Sequence, residues 1–214
     1  MVPRRRLRRR VRHHVNPLGR RYLTRDVEPV PLPAGREIDV ELGCADARFL
    51  FELAPQFPER HFVGLEIREP LVDEVNEKAE DLGLDNLQAC FAHINLDLPE
   101  LFPDQSLSRV YINFPDPWFK VRHRKRRLVT PELVEVLHRK LRPDGELLFQ
   151  SDIFELALDA MATFELHDHL FENCCGPWSF RRANPYPARS EREVWNEVRD
   201  IRIWRILYRP RPRP

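Results

Sequence analysis

The sequence predicts an α/β fold built on a mostly parallel sheet. Three observations predict it. Short β-rich runs alternate with helical patterns between residues 37 and 170. Glycine or proline bounds most of these runs. Each β-rich run also carries a polar or acidic residue at its carboxyl end, where open α/β sheets bind ligands.

The elements follow in order. Residues 1–35 read as a basic arm, because Pro29, Pro31, Pro33 and Gly35 interrupt any long regular element. A single domain is expected over 36–214. EIDVELG (37–43) is a strand stopped by Gly43, and ARFLFELAPQFP (47–58) is a helix stopped by proline. HFVGLEI (61–67) is the second strand. The amphipathic helix over 69–84 has Pro70 in its first turn and Gly83 near its end. LQACFAHI (87–94) and SRVYINF (108–114) are the third and fourth strands. The helix over 130–145 opens with Thr130 as N-cap and Pro131 behind it, and closes on a Pro-Asp-Gly turn. A fifth strand is expected at 146–152 and a helix at 153–170. Two β-like runs, around 178–182 and 200–208, flank a polar stretch.

The chain has 214 residues and a mass of 25.6 kDa, which suits one domain. No apolar run approaches the roughly 20 residues that span a bilayer, so no membrane segment is expected. The basic N-terminus lacks the apolar core of a secretory signal. Cys44, Cys90, Cys174 and Cys175 show no CxxC spacing, which suits a reduced, cytoplasmic chain. His167 and His169 lack a third ligand, so no metal is expected. Trp178, Trp195 and Trp204 are expected in the core. The sequence leaves both a monomer and a homodimer open.

Charge is segregated although the totals nearly cancel, with 35 Lys and Arg against 34 Asp and Glu. Residues 1–21 hold nine arginines and no acid. Residues 120–127 read KVRHRKRR. A basic arm plus a basic loop suits a polyanion such as nucleic acid.

Three constellations carry chemistry. DVELGCADARFL is a strand, a glycine turn and a helix, the outline of a nucleotide-binding corner. It holds one glycine, so G-x-G-x-x-G is absent. Glu66 ends the next strand, 25 residues after Glu41, where an acid can accept both hydroxyls of a ribose. Either acid alone also fits a cap or a surface ion pair; together they favour an adenosine-type ligand. No P-loop or pyrophosphate cradle is present, and an acid-lined pocket suits a cation. S-adenosylmethionine, with its sulfonium and ammonium, meets both conditions. Finally, NFPDPWFKVRHRKRR (113–127) holds Asp116 stiffly between two prolines, beside Trp118 and ahead of the basic run.

These residues resemble the bacterial tRNA (guanine-N7-)-methyltransferases, the TrmB family. The carrying motifs are Glu41-Leu42-Gly43, Gly64-Leu65-Glu66, Asn113 to Trp118 with Lys120, Arg122 to Val129, and Phe149-Gln150-Ser151-Asp152. The match runs from about residue 12 to 208, and its most specific part is Phe114 to Val129. The resemblance implies a class I methyltransferase fold: a Rossmann-like three-layer sandwich whose seven-stranded sheet ends in antiparallel strands. It implies S-adenosylmethionine held by Glu41, Gly43, Glu66, Asp116 and either His93 or Asn95. It implies Asp116 as the catalytic residue. It implies target-nucleotide contacts from Lys120, Asp152, Ser190 and Glu193. It implies tRNA backbone contacts from Arg122, Arg124, Lys125, Arg126 and Arg127.

The sequence departs from the family where alternate glycines are usual, reading Gly43, Ala45, Ala47. Alanine at 45 is strained there if its φ is positive. An RNA-binding relative without cofactor use, or an amino-group methyltransferase acting on adenine, are the competing readings. An NAD-dependent enzyme is disfavoured by the missing glycine fingerprint.

Overall fold

The computed structural model describes residues 15–19, 22 and 26–213. Most of the basic arm, including the arginines of 4–12, lies outside the described residues. Seven strands form one sheet: β1 (Glu37–Leu42), β2 (Arg60–Glu66), β3 (Leu87–Phe91), β4 (Leu107–Asn113), β5 (Leu141–Ser151), β6 (Phe171–Asn173) and β7 (Trp204–Pro210). Their order is β3-β2-β1-β4-β5-β7-β6. Strands β1 to β5 pair in parallel, and β7 pairs antiparallel with both β5 and β6. The strand order reverses between β1 and β4, the switch point at which such sheets open a crevice.

Helices cover both faces. They are α1 (Arg48–Leu53), α2 (Glu69–Asp81), α3 (Ile94–Leu101), α4 (Pro131–Lys140), α5 (Phe154–Glu165) and α6 (Glu191–Val198). Successive side chains of a strand point to opposite faces. Ile38, Val40 and Leu42 therefore join one apolar layer with α3, α4 and α5. Phe62, Tyr111 and Leu148 join the other with α1 and α2. The acids of β1 alternate with its apolar residues, so Glu37, Asp39 and Glu41 share the second face.

Local chemistry sets several boundaries. Thr130 caps α4, its hydroxyl accepting from Leu133 N at 3.2 Å, with Pro131 in the first turn. Pro70 starts α2 in the same way. Gly64 lies within β2 because the Cys44 thiol packs against it; a Cβ there would meet Sγ at 2.5 Å.

The structure corrects several expected elements. β3 stops at Phe91, and His93 caps α3. That helix is hard to see in INLDLPEL, since Pro99 interrupts its periodicity. It is secured by Asp97, which accepts from His93 N at 2.5 Å. α4 ends at Lys140, and Pro143 to Gly145 lie in the irregular start of β5. The run around 178–182 is not a strand; only Arg181 bridges to Arg205. The outer pairing partner of β7, beyond β5, is the three-residue β6. The polar stretch before β7 contains α6. Trp178 and Trp195 are exposed rather than core, whereas Trp204 packs beside Phe154 and Phe180.

Asp39 is fully buried. Arg60 donates to it from Nε at 2.9 Å and from a terminal nitrogen at 2.5 Å, and Tyr111 donates at 2.9 Å. Removing one partner of a buried pair strands the other charge, at about 3–5 kcal/mol. Arg60→Met is therefore expected to destabilise the fold by about that amount, measured by urea unfolding.

Candidate active site

The carboxyl ends of β1, β2 and β4 and the segment after β3 open onto one cavity of about 320 Å³. Glu41, Gly43, Glu66, His93, Asn95 and Asp116 all line it. The backbone thus gathers six residues whose sequence positions span more than seventy residues.

Glu41 ends β1 and is 3% exposed. Asn113 Nδ2 donates to its Oε1 at 2.7 Å. Its Oε2 is buried and has no hydrogen-bond partner among the described residues. Burial pushes the carboxyl up to about 8; the Asn113 bond opposes this, and the charges of Asp46 and Glu66 add to it. A buried acid with one bare oxygen is an incomplete ion pair. A cationic ligand group would complete it.

Glu66 is differently placed. Ala45 N and a terminal nitrogen of Arg68 donate to Oε2 at 3.0 and 2.8 Å. Arg68 N and Nε donate to Oε1, both at 2.9 Å. A diol seated on Glu66 would have to displace the Arg68 side chain. Sequence reasoning missed Arg68, which follows the acid by only two residues.

The corner after β1 keeps its shape without its usual glycines. Gly43 N and Cys44 N both donate to Leu65 O, at 2.8 and 3.1 Å. Gly43, Ala45 and Ala47 have φ of 81°, 52° and 53°. The alanines therefore sit in the left-handed region, at about 1–2 kcal/mol each.

The loop after β4 is also strained. Phe114 has φ of 50° although proline follows, and Trp118 has φ of 43°. Arg127 clamps this loop. It is buried, its Nε donates to Pro117 O at 3.0 Å, and it pairs with Asp159 and, at 3.4 Å, with Glu155. Arg127, expected at the tRNA backbone, thus directs its donors to this loop and to α5. The 3₁₀ helix Val121–Arg126 follows the loop and carries the basic run. Lys120, Arg122, Arg124 and Lys125 are exposed, and Arg124 pairs with Glu155 at 2.6 Å. Arg126 lines the cavity and stacks on Trp118 at 5.0 Å.

The remaining wall comes from α6. Ser190 lines the cavity and caps α6, accepting from Glu193 N at 3.2 Å. Arg192 lines the cavity and binds Asp152 from two nitrogens, at 2.9 and 2.6 Å. Glu193 is fully buried and accepts from Gln150, Asn184 and Arg205. Glu193, expected at the target nucleotide, thus has its carboxylate inside the fold. His93 and Asn95 both reach the cavity. His93 Nε2 meets Pro17 O at 2.9 Å, and Asn95 donates to Leu128 O at 2.9 Å. Val15 and Pro17, from the arm, also line it, which no sequence signal indicated. Among the described residues, no group of His, Cys, Asp and Glu could hold a metal, and no helix is long and apolar enough to cross a membrane.

A family model described as "Putative methyltransferase" matches residues 36–195. The tRNA (guanine-N(7)-)-methyltransferase of Synechococcus elongatus is 40% identical over 210 residues, covering 95% of this chain and 97% of that protein. The chain belongs to the tRNA (guanine-N(7)-)-methyltransferase family. A second relative, the protein of that name from Synechocystis, is 41% identical over 191 residues, covering 86% of this chain and 90% of its own. Among solved structures, a precorrin-6y C5,15-methyltransferase from Geobacter metallireducens superposes with a TM-score of 0.54 at 14% identity, covering 81% of this chain and 79% of its own. That likeness establishes the class I methyltransferase fold expected from the sequence.

Two outcomes follow for this family site. The folded pKa of Glu41, about 8, lies above its ordinary 4.5. Its charge therefore opposes folding increasingly as pH rises from 4.5 to 8. Glu41→Gln should raise the ligand-free melting temperature at neutral pH, more so up to pH 8, and not at all below 4.5. Thermal unfolding across pH reads this directly. Ala45→Gly should also stabilise, by about 0.5–1 kcal/mol, because relief of strain exceeds the added freedom of the unfolded chain. Denaturant titration of the variant checks that value.

Proposed function

We propose that this protein transfers a methyl group from S-adenosylmethionine to N7 of a guanine in the variable loop of tRNA. One observation carries the reading: the buried, half-partnered Glu41 faces a cavity at the sheet's switch point, with Glu66 and Asp116 beside it. The names of the relatives supply the substrate. A tRNA substrate supports a cytoplasmic location.

The donor set fits the cofactor. Glu41 would take its ammonium, Glu66 its ribose once Arg68 swings away, and His93 or Asn95 its adenine side. When bound, S-adenosylmethionine supplies an electrophilic methyl group.

Guanine N7 carries a neutral lone pair, so no base is needed before attack. The protein's work is positioning and charge. Asp116 lies in the strained loop at the cavity, where its carboxylate can accept from the guanine edge and stabilise the positive ring that forms. Trp118, braced by Arg126, offers a stacking face beside it. The Asp152–Arg192 pair and Ser190 border the guanine seat on the α6 side. Lys120, Arg122, Arg124 and Lys125 face solvent and would neutralise phosphates. Pairing with exposed Glu155 is a weak competitor for Arg124.

The test is methyl transfer. Purified protein, labelled S-adenosylmethionine and unmodified tRNA transcript should yield N7-methylguanosine on nucleoside analysis. Methylated adenosine, or tRNA binding without product, would contradict the reading. Asp116→Ala should lower the rate by about 100-fold or more while the melting temperature stays within a few degrees. Raising salt should weaken tRNA binding steeply.

A further inference from the structure

A chain of polar side chains, buried apart from the half-buried Asn113, crosses the sheet from the cavity to its far side. Four adjacent strands each contribute one residue: Glu41 from β1, Asn113 from β4, Gln150 from β5 and Arg205 from β7. Asn113 faces Gln150 in the ladder, and Gln150 faces Arg205. Arg205 Nε donates to Gln150 Oε1 at 3.0 Å. Gln150 Nε2 donates to Asn113 Oδ1 at 2.8 Å and to Glu193 Oε2 at 3.0 Å. Asn113 Nδ2 donates to Glu41 Oε1 at 2.7 Å.

The direction of this chain is fixed by its far end. A guanidinium can only donate, so the Gln150 carbonyl must face Arg205. A carboxylate accepts, so the Gln150 amide nitrogen must face Glu193. Turning Gln150 over would set donor against donor and oxygen against oxygen in a site with no exposure. With Gln150 oriented, the Asn113 carbonyl must accept, and its nitrogen must point at Glu41. The Arg205–Glu193 ion pair, at 2.7 Å and buried on both sides, thereby sets the hydrogen bond received by the cavity acid.

We infer that Gln150 is a positioning residue for cofactor binding: it holds the Asn113 amide so that Glu41 is anchored by one oxygen and presents the other to the ligand's cationic group. Gln150 is not among the residues lining the cavity. The same chain ties Glu41 to α6, because Glu193 is part of both. Within the Phe149-Gln150-Ser151-Asp152 motif, Gln150 thus acts on the cofactor side. This inference rests on the reading of Glu41 as the acceptor of the cofactor's cation.

Other titratable groups around Glu41 are Asp46 and the neutral Cys44 thiol from the corner and Glu66 from β2, with Arg68 bound to Glu66. None touches Gln150 among the described contacts, so a change at 150 leaves them in place. Without Gln150 the Asn113 carbonyl loses its donor, the amide is free to turn, and Glu41 becomes harder to ionise.

The experiment is calorimetric titration with S-adenosylhomocysteine, which keeps the ammonium, between pH 6 and 9. The proteins are wild type, Gln150→Met, Asn113→Ala, their double variant and Glu41→Gln. Gln150→Met retains both charges of the Arg205–Glu193 pair; Gln150→Leu is the alternative if that variant does not fold. For Gln150→Met the affinity should fall about tenfold at pH 7, with the pH midpoint displaced upward by about one unit and the deficit shrinking at high pH. Asn113→Ala should do the same, and the double variant should be no worse than Asn113→Ala alone. A Gln150→Met deficit equal at every pH, no deficit, or additive losses in the double variant would overturn the inference. Glu41→Gln that binds like wild type would instead overturn the role of Glu41 itself.

Discussion

The molecule is organised around a carboxylate that folding alone does not satisfy. Glu41 is buried at the end of β1, bonded through one oxygen and bare at the other. Burial first, then the charges of Asp46 and Glu66, make its ionisation harder. Such a group persists in a fold only when something else rewards it. The parallel sheet supplies the place, since reversal of strand order beside β1 leaves the crevice into which Glu41 faces. The polar chain through Asn113 and Gln150 supplies the orientation.

Strain is concentrated at the same place. Ala45 and Ala47 on one side, Phe114 and Trp118 on the other, all take left-handed backbone conformations around the cavity. Each segment is held from outside. Leu65 O fixes the first, while Gln150 O and the buried Arg127 fix the second. The basic run therefore divides its labour. Its last arginine secures the loop that carries Asp116, and its earlier members remain at the surface.

Much of this was legible in the sequence because the signals were local. Strand β1 with Gly43, helix α4 with Thr130 and Pro131, and the Asn113 to Trp118 run declare themselves within a few residues. What was hidden depends on distant partners. The three-residue β6 exists only through β7, and α3 is obscured by Pro99. Burial also decides what a charged residue does. Arg127 looks like its neighbours in KVRHRKRR but points inward to Asp159, and Glu193 looks like a surface acid of α6 but meets Arg205. Arg68 was missed because nothing in the sequence says that a guanidinium folds back onto an acid two residues earlier.

The central claim is that Glu41 waits for a positive ligand group and ionises to receive it. The most direct measurement is proton exchange on S-adenosylhomocysteine binding at pH 7, by calorimetry in buffers of different ionisation enthalpy. With Glu41 titrating at about 8, wild type should release close to one proton on binding, and Glu41→Gln should release none. No net proton release by wild type, or equal release by both proteins, would contradict the account.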